Sequence, residues 1–150
     1  MTVYMFPFLM FDGNATEAIA FYKEALDAEQ LFIYRLGDLP GKVPEHKKHL
    51  VAHSVLKIGE TSIMISDTLP GMSHRIGTQV SVCINTDELE KTTQFYENLR
   101  REGQVVMPLQ EVPYGPGSAI VTDKFGISFL LTTMRTEEAA KRGHQMEMKR

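Results

Sequence analysis

Two amphipathic segments, each carrying Phe-Tyr at the same helical phase, lie 74 positions apart, at Phe21-Tyr22 and Phe95-Tyr96. This internal echo restricts the fold more than any other feature of the chain, because self-similarity at a fixed period means one structural unit used more than once. Each segment follows an apolar, strand-like run, residues 4–11 or 80–85, and each precedes short alternating runs ending in 63–66 (IMIS) and 127–132 (ISFLLT). The chain therefore reads as one strand-helix-strand-strand-strand unit written twice.

The first helix has an explicit grammar. Asn14 stands where a cap is expected and Glu17 three residues later as in a capping box, while Ala15, Ala18, Ile19, Tyr22, Ala25 and Leu26 recur at helical spacing. The second repeats it: Thr86 or Asp87 caps, Glu90 follows, Leu89, Thr92, Thr93, Tyr96 and Leu99 form a thinner stripe, and Gly103 stops it. Strands are expected at about 4–11, 30–36, 50–58, 61–66, 78–85, 104–112, 118–122 and 127–133, the third and fourth of each unit joined by hairpin turns. The resulting organisation is a first module over residues 1–66, a linker over 67–77, a second module over 78–133 and a tail over 134–150 that is either helical or disordered, with both modules counted as one domain.

Composition removes several function classes. A chain of 150 residues suits one domain or two half-size modules, and with 43% hydrophobic residues and a formal charge of −3 there is no strong pull toward nucleic acid or anionic membrane. Cys83 is the sole cysteine, which excludes an internal disulfide and a cysteine-rich zinc site; in an alternating strand it reads as a small buried residue. The N-terminus lacks a basic stretch followed by a long apolar core, and no apolar run approaches the ~20 residues that span a bilayer, so a cytoplasmic location is the expectation.

The doubled unit resembles the vicinal-oxygen-chelate superfamily, which includes glyoxalase I, extradiol dioxygenases and bleomycin-resistance proteins. Residues 10–15 (MFDGNA), 66–72 (SDTLPGM), 107–111 (MPLQE) and 121–126 (VTDKFG) resemble its PhnB-like branch, also labelled a 3-demethylubiquinone-9 3-methyltransferase domain, and the likeness runs over about residues 4 to 133. It implies an α+β fold of two tandem βαβββ modules whose mixed sheet curves into a cup, and a homodimer. Catalytic branches hold a divalent metal with side chains from strands one, four, five and eight. Here those places fall near Pro7, Met64, Gln79 and Leu130, and a shift of one residue brings Phe8, Ile65, Val80 or Leu131. Proline, methionine and leucine do not supply the carboxylate oxygen or imidazole nitrogen such a metal takes, so neither that metal nor another cofactor is expected.

Other acid-base or metal candidates are few. His49 and His53 would share a face if both lay on the third strand, leaving an unorthodox metal site open. His53 is either a proton donor and acceptor at the mouth of the cup or a structural histidine. Asp123 reads as the cap of its own turn, whereas Glu111 leads through Val112, Pro113 and Tyr114 into a glycine-rich segment that could cover the cup. Pro7, Leu9, Phe11, Met64 and Leu130 would give an apolar pocket wall, with Gln79 and Tyr114 at its margin and Ser62, Ser66, Ser81, Ser128 and Thr132 as polar points. The same side chains could instead fill a core.

A nucleotide-type methyl donor would want a glycine-rich strand-to-helix turn, and none is present; a serine hydrolase would want its nucleophile elbow, also missing. Two readings follow: a metal-free homodimeric module that binds a small, largely apolar molecule, or a lyase, isomerase or dioxygenase working through an unorthodox metal or through His53 and Glu111.

Overall fold

The computed structural model describes residues 1–135, so the expected C-terminal element over 134–150 lies almost wholly outside the described residues. The chain divides between Arg75 and Ile76 into two compact units. Each contains a four-stranded mixed sheet and one long helix.

In the first unit, β1 (Phe8–Phe11), α1 (Ala15–Ala25), β2 (Glu29–Arg35), β3 (Val51–Ile58) and β4 (Thr61–Asp67) follow in order, and the sheet runs β1-β4-β3-β2. The second repeats the plan with β5 (Val82–Thr86), α2 (Leu89–Leu99), β6 (Gln104–Val112), β7 (Gly115–Thr122) and β8 (Ser128–Thr133), in the order β5-β8-β7-β6. In both, the first strand lies parallel to the last, as a crossover through a helix requires, and the hairpin pairs are antiparallel. The doubled βαβββ unit is thus the architecture of this α+β chain.

Three sequence expectations change. Strand one starts at Phe8 rather than residue 4, although the Pro7 carbonyl still accepts the Met64 N–H (2.9 Å). Strand five starts at Val82 rather than 78, leaving Gln79 outside the sheet. Strand seven extends back to Gly115, and the pairing of Val112 with Gly115 makes Pro113-Tyr114 a two-residue hairpin turn. The segment from Glu111 to Gly117 is therefore strand and turn, not a covering loop.

The helix caps also differ from expectation. Asn14 makes no side-chain cap bond; the Ala15 N–H is taken instead by Asp67 Oδ1 (3.0 Å), from the end of β4. Asp67 Oδ2 accepts the Val51 N–H (2.8 Å), so one carboxylate, 1% exposed, ties the starts of α1 and β3 to the end of β4. An anion there also meets the positive end of the helix dipole. In the second unit Thr133 takes the matching place, and its hydroxyl donates to Thr92 Oγ1 on α2 (2.6 Å). Thr86 bonds both the Thr92 hydroxyl (2.8 Å) and the Glu88 N–H (3.3 Å).

The helix stripes bury as the periodicity predicts. Ala15, Ala18, Ile19, Tyr22 and Ala25 of α1 are buried, with Leu9, Phe11, Leu56, Ile63 and Ile65 of their sheet. On α2, Phe95 joins Thr92, Tyr96 and Leu99, and its sheet buries Ala119, Val121, Phe129 and Leu131. Gly103 and Gly115 allow close backbone approach: a Cβ there would overlap the carbonyl oxygens of Thr122 and Thr133, respectively.

Candidate functional site

Each sheet has one face packed on its helix, so the opposite face is where a ligand can be met. Strand pairing fixes which residues stand there, because directly paired residues project to the same side and successive residues alternate. In the first sheet one row of this open face crosses all four strands as Phe8, Met64, Val55 and Phe32. The next row contains Met10 and Ser66, and His53 paired with Tyr34.

The aromatic side chains of these rows touch. The rings of Phe8 and His53 are stacked with centroids 6.4 Å apart and planes 16° from parallel. Phe32 meets His53 at 5.5 Å and Tyr34 at 5.6 Å. Phe8, Phe32 and Tyr34 remain 47%, 40% and 51% exposed, so the cluster is a surface rather than a core. Among the described residues no protein group hydrogen-bonds the His53 ring, which leaves both ring nitrogens available to a ligand.

This register corrects the face assigned to strand one. Leu9 and Phe11 pair with Ile65 and Asp67 on the helix side, and the Phe11 ring packs on Tyr22 of α1 (6.4 Å). Both are buried core, not pocket wall. Phe8 and Met10 take the open face, while Pro7 precedes the strand and is exposed. His49 is corrected too: it lies in the turn before β3, and its carbonyl accepts a bond from Arg35 Nη1 (2.7 Å), so it does not share a strand face with His53. His74 is hydrogen-bonded through Nδ1 to Thr68 Oγ1 (3.0 Å).

The second sheet presents a different face. One row runs Asn85, Thr132, Ser118 and Gln110; the next Cys83, Leu130, Ile120 and Met107. Beyond these lie Thr122 and Ser128, and Ser128 is hydrogen-bonded to Ser81 (2.7 Å). Cys83 is exposed, contrary to the buried role read from its strand, and it rather than Gln79 pairs with Leu130. The helix-facing pairs of the two modules are Ser54 with Ile65 and Ala119 with Leu131, so His53 and Ser118, each one residue earlier, occupy corresponding places. Ser118 is 0% exposed, and among the described residues its Oγ has no hydrogen-bond partner. A buried polar atom left so costs about 1–3 kcal/mol.

Glu111 follows Gln110 and therefore falls on the opposite side from this row. It lines a cavity of about 410 Å³ with Asp87, Leu89, Gly115, Pro116, Thr133, Met134 and Arg135, at the start of α2. Tyr114 is 59% exposed in its hairpin turn, and Arg135 Nη2 donates to the neighbouring Pro113 carbonyl. Asp123 caps its turn, its Oδ1 accepting the N–H groups of Phe125 and Ile127 (both 2.9 Å).

Of the four places that the resemblance names, Pro7 and Gln79 precede their strands, while Met64 and Leu130 lie on the open faces, where strand register puts Phe8 beside Met64 and Cys83 beside Leu130. One thiol, one thioether and two hydrocarbon side chains do not make a donor set for a metal that takes carboxylate and imidazole. Among the described residues no group of three or more His, Cys, Asp or Glu is gathered for another.

The model of the family described as 3-demethylubiquinone-9 3-methyltransferase matches residues 4–132. The chain belongs to this PhnB-like family. A family relative, protein YjdN of Escherichia coli K12, is 28% identical over 142 residues, covering 87% of this chain and 95% of that protein. Among solved structures, protein PA1353 of Pseudomonas aeruginosa is 25% identical with a TM-score of 0.82, over 89% of this chain and 99% of that one. The PhnB protein of Bacillus cereus is 26% identical with a TM-score of 0.72, over 87% and 99%. The fosfomycin resistance protein FosX of Listeria monocytogenes, 13% identical over 93% of this chain and 98% of its own with a TM-score of 0.62, shares the vicinal-oxygen-chelate fold. The PhnB-like chain thus has the glyoxalase/bleomycin-resistance fold.

Sequence reasoning missed Phe8, Phe32, Tyr34 and Ser118. The signal for Phe32 and Tyr34 was their i, i+2 spacing in a strand; Ser118 stands out only once its burial is known.

Proposed function

We propose that this PhnB-like protein is a metal-free, homodimeric module that binds a small, largely apolar molecule on the open face of its first sheet. The observation that supports this most directly is the exposed cluster of Phe8, His53, Phe32 and Tyr34 beside Met64. Rings left in water at neighbouring positions gain when a flat apolar ligand covers them. Removing roughly 100 Å² of apolar surface from water is worth about 2.5 kcal/mol, and ring stacking adds about 0.5–1.5 kcal/mol. His53 would give the ligand one directed hydrogen bond within an otherwise apolar setting, the usual composition of a small-molecule site.

The methyltransferase description carried by the family is not adopted for this chain. Its Gly115-Pro116-Gly117 segment belongs to β7, where Gly115 serves backbone packing against Thr133, so it is not a phosphate-binding turn. Glu111 lines the cavity at the start of α2, and Gln110 takes the open-face place beside Ser118.

The test uses N-phenyl-1-naphthylamine, an uncharged fluorescent probe. Saturable fluorescence enhancement is expected, with the apparent Kd raised about tenfold or more by Phe8→Ala, since 1.4 kcal/mol corresponds to tenfold. Absence of saturable binding, or an unchanged Kd in Phe8→Ala and Phe32→Ala, would refute the site.

A further inference from the structure

The open face of the second sheet carries a row of neutral polar side chains. We infer that Ser118 anchors an uncharged polar group, a hydroxyl, carbonyl or amide, of a ligand that meets the row Asn85, Thr132, Ser118 and Gln110. The inference extends the binding-module reading to a second, chemically distinct surface.

Three observations converge. First, Ser118 Oγ is fully buried without a partner, while buried side-chain polar atoms in folded proteins are nearly always bonded to protein or ordered water. Second, its cross-strand neighbours are themselves hydrogen-bonding and neutral: Gln110 on one side, Thr132 on the other, and Asn85 beyond. Third, the adjoining row of Cys83, Leu130, Ile120 and Met107 brings no Asp, Glu, Lys or Arg to the face, and the row beyond it, with Ser81, Ser128 and Thr122, brings none either.

The absence of formal charge in these rows selects the ligand class. Within these rows a carboxylate or phosphonate would lose water without meeting a cation, and an ammonium would meet no carboxylate; the charged Asp87, Glu111 and Arg135 line the cavity at the start of α2 instead. A neutral donor or acceptor gives up little hydration and finds amide and hydroxyl partners, with Leu130 and Ile120 beside it for an apolar body. The serine hydroxyl can donate or accept, so it serves a ligand carbonyl or hydroxyl equally. Gln110, the cross-strand partner of Ser118 on the edge strand β6, is exposed. In the module repeat Ser118 holds the place of His53, so each sheet keeps one polar anchor at corresponding positions and surrounds it differently.

The probes are benzamide, benzoate and toluene, three ring compounds of similar size, titrated into the full chain while backbone amide resonances are followed by NMR. Benzamide should shift the resonances of Ser118, Ile120 and Thr132 at concentrations at least fivefold below those at which benzoate or toluene does so. Ser118→Ala should weaken benzamide binding about fivefold or more while leaving N-phenyl-1-naphthylamine binding intact. Gln110→Leu, which keeps the size but removes the amide, should likewise narrow the preference for benzamide over toluene. Equal response to benzamide and benzoate, no shift at these residues, or a Ser118→Ala protein that is merely more stable and binds benzamide as before would overturn the assignment. Failure of the naphthylamine probe with the benzamide result intact would remove the first-sheet reading and leave this one standing.

Discussion

Replacing Asp67 with alanine should be among the most damaging single changes in the first module. Its carboxylate is 1% exposed and accepts the N–H groups of Ala15 at 3.0 Å and Val51 at 2.8 Å. Hydrogen bonds to a charged group contribute about 1.5–3 kcal/mol each, and the charge at the start of α1 adds about 0.3–1 kcal/mol through the helix dipole. Desolvation of the carboxylate offsets part of this. Truncation, however, also strands two backbone donors that the folded chain holds away from water. The expected net loss is about 3–5 kcal/mol, the range found when one partner of a buried charged contact is removed. At roughly 2–4 °C per kcal/mol for a chain of this size, Tm by circular dichroism should fall by about 6–20 °C. Asp67→Asn should fall between, because its carbonyl oxygen can accept one N–H while its NH2 group confronts the other. Thr133→Val, which removes one neutral hydroxyl contact at the matching place in the second module, should cost only about 1 kcal/mol. A loss below about 1 kcal/mol for Asp67→Ala would mean that the brace contributes little and that helix packing alone holds the module together.

Two further outcomes test other parts of the structure. Gly115→Ala places a Cβ against the Thr133 backbone carbonyl and should cost about 1–3 kcal/mol, whereas Gly117→Ala overlaps the end of the Leu89 side chain, which can rotate, and makes ordinary contacts with Leu109 and Thr133 Oγ1, so it should cost less; urea midpoints compare the two. Sedimentation equilibrium at micromolar concentration should give about twice the 17.0 kDa chain mass, and particles of single-chain mass throughout would remove the homodimer.

Much of the fold was legible because periodicity reports burial. The stripe from Ala15 to Ala25 and the paired Phe-Tyr positions identified both helices, and turn residues marked the hairpins. What failed did so where a local pattern carried no directional information. In β1, Phe8 and Met10 are as apolar as Leu9 and Phe11, so alternation could not say which pair faces the helix; the register with β4 decides it. The cap of α1 was misread because Asn14 and Glu17 satisfy the local rule, yet a carboxylate 52 positions away takes the Ala15 N–H. The side on which Glu111 falls was not legible, because shifts in the pairing of β6 with β7 reset the alternation before it and no residue type announces them. Met64 and Leu130 lie on the open face, in strands whose register is regular.

Strand β7 divides its two sides by the room each allows. Toward the helix, Gly115 lies against a carbonyl and Ala119 and Val121 are fully buried, so substitution there is confined to what the packing admits. Away from the helix, Ile120 and Thr122 are only half-buried, so their side chains can change without disturbing that contact. A lineage built on this scaffold can therefore alter what it recognises through a few alternate positions of one strand while its neighbours stay fixed. The same positions are the natural place to diversify the protein in a laboratory library.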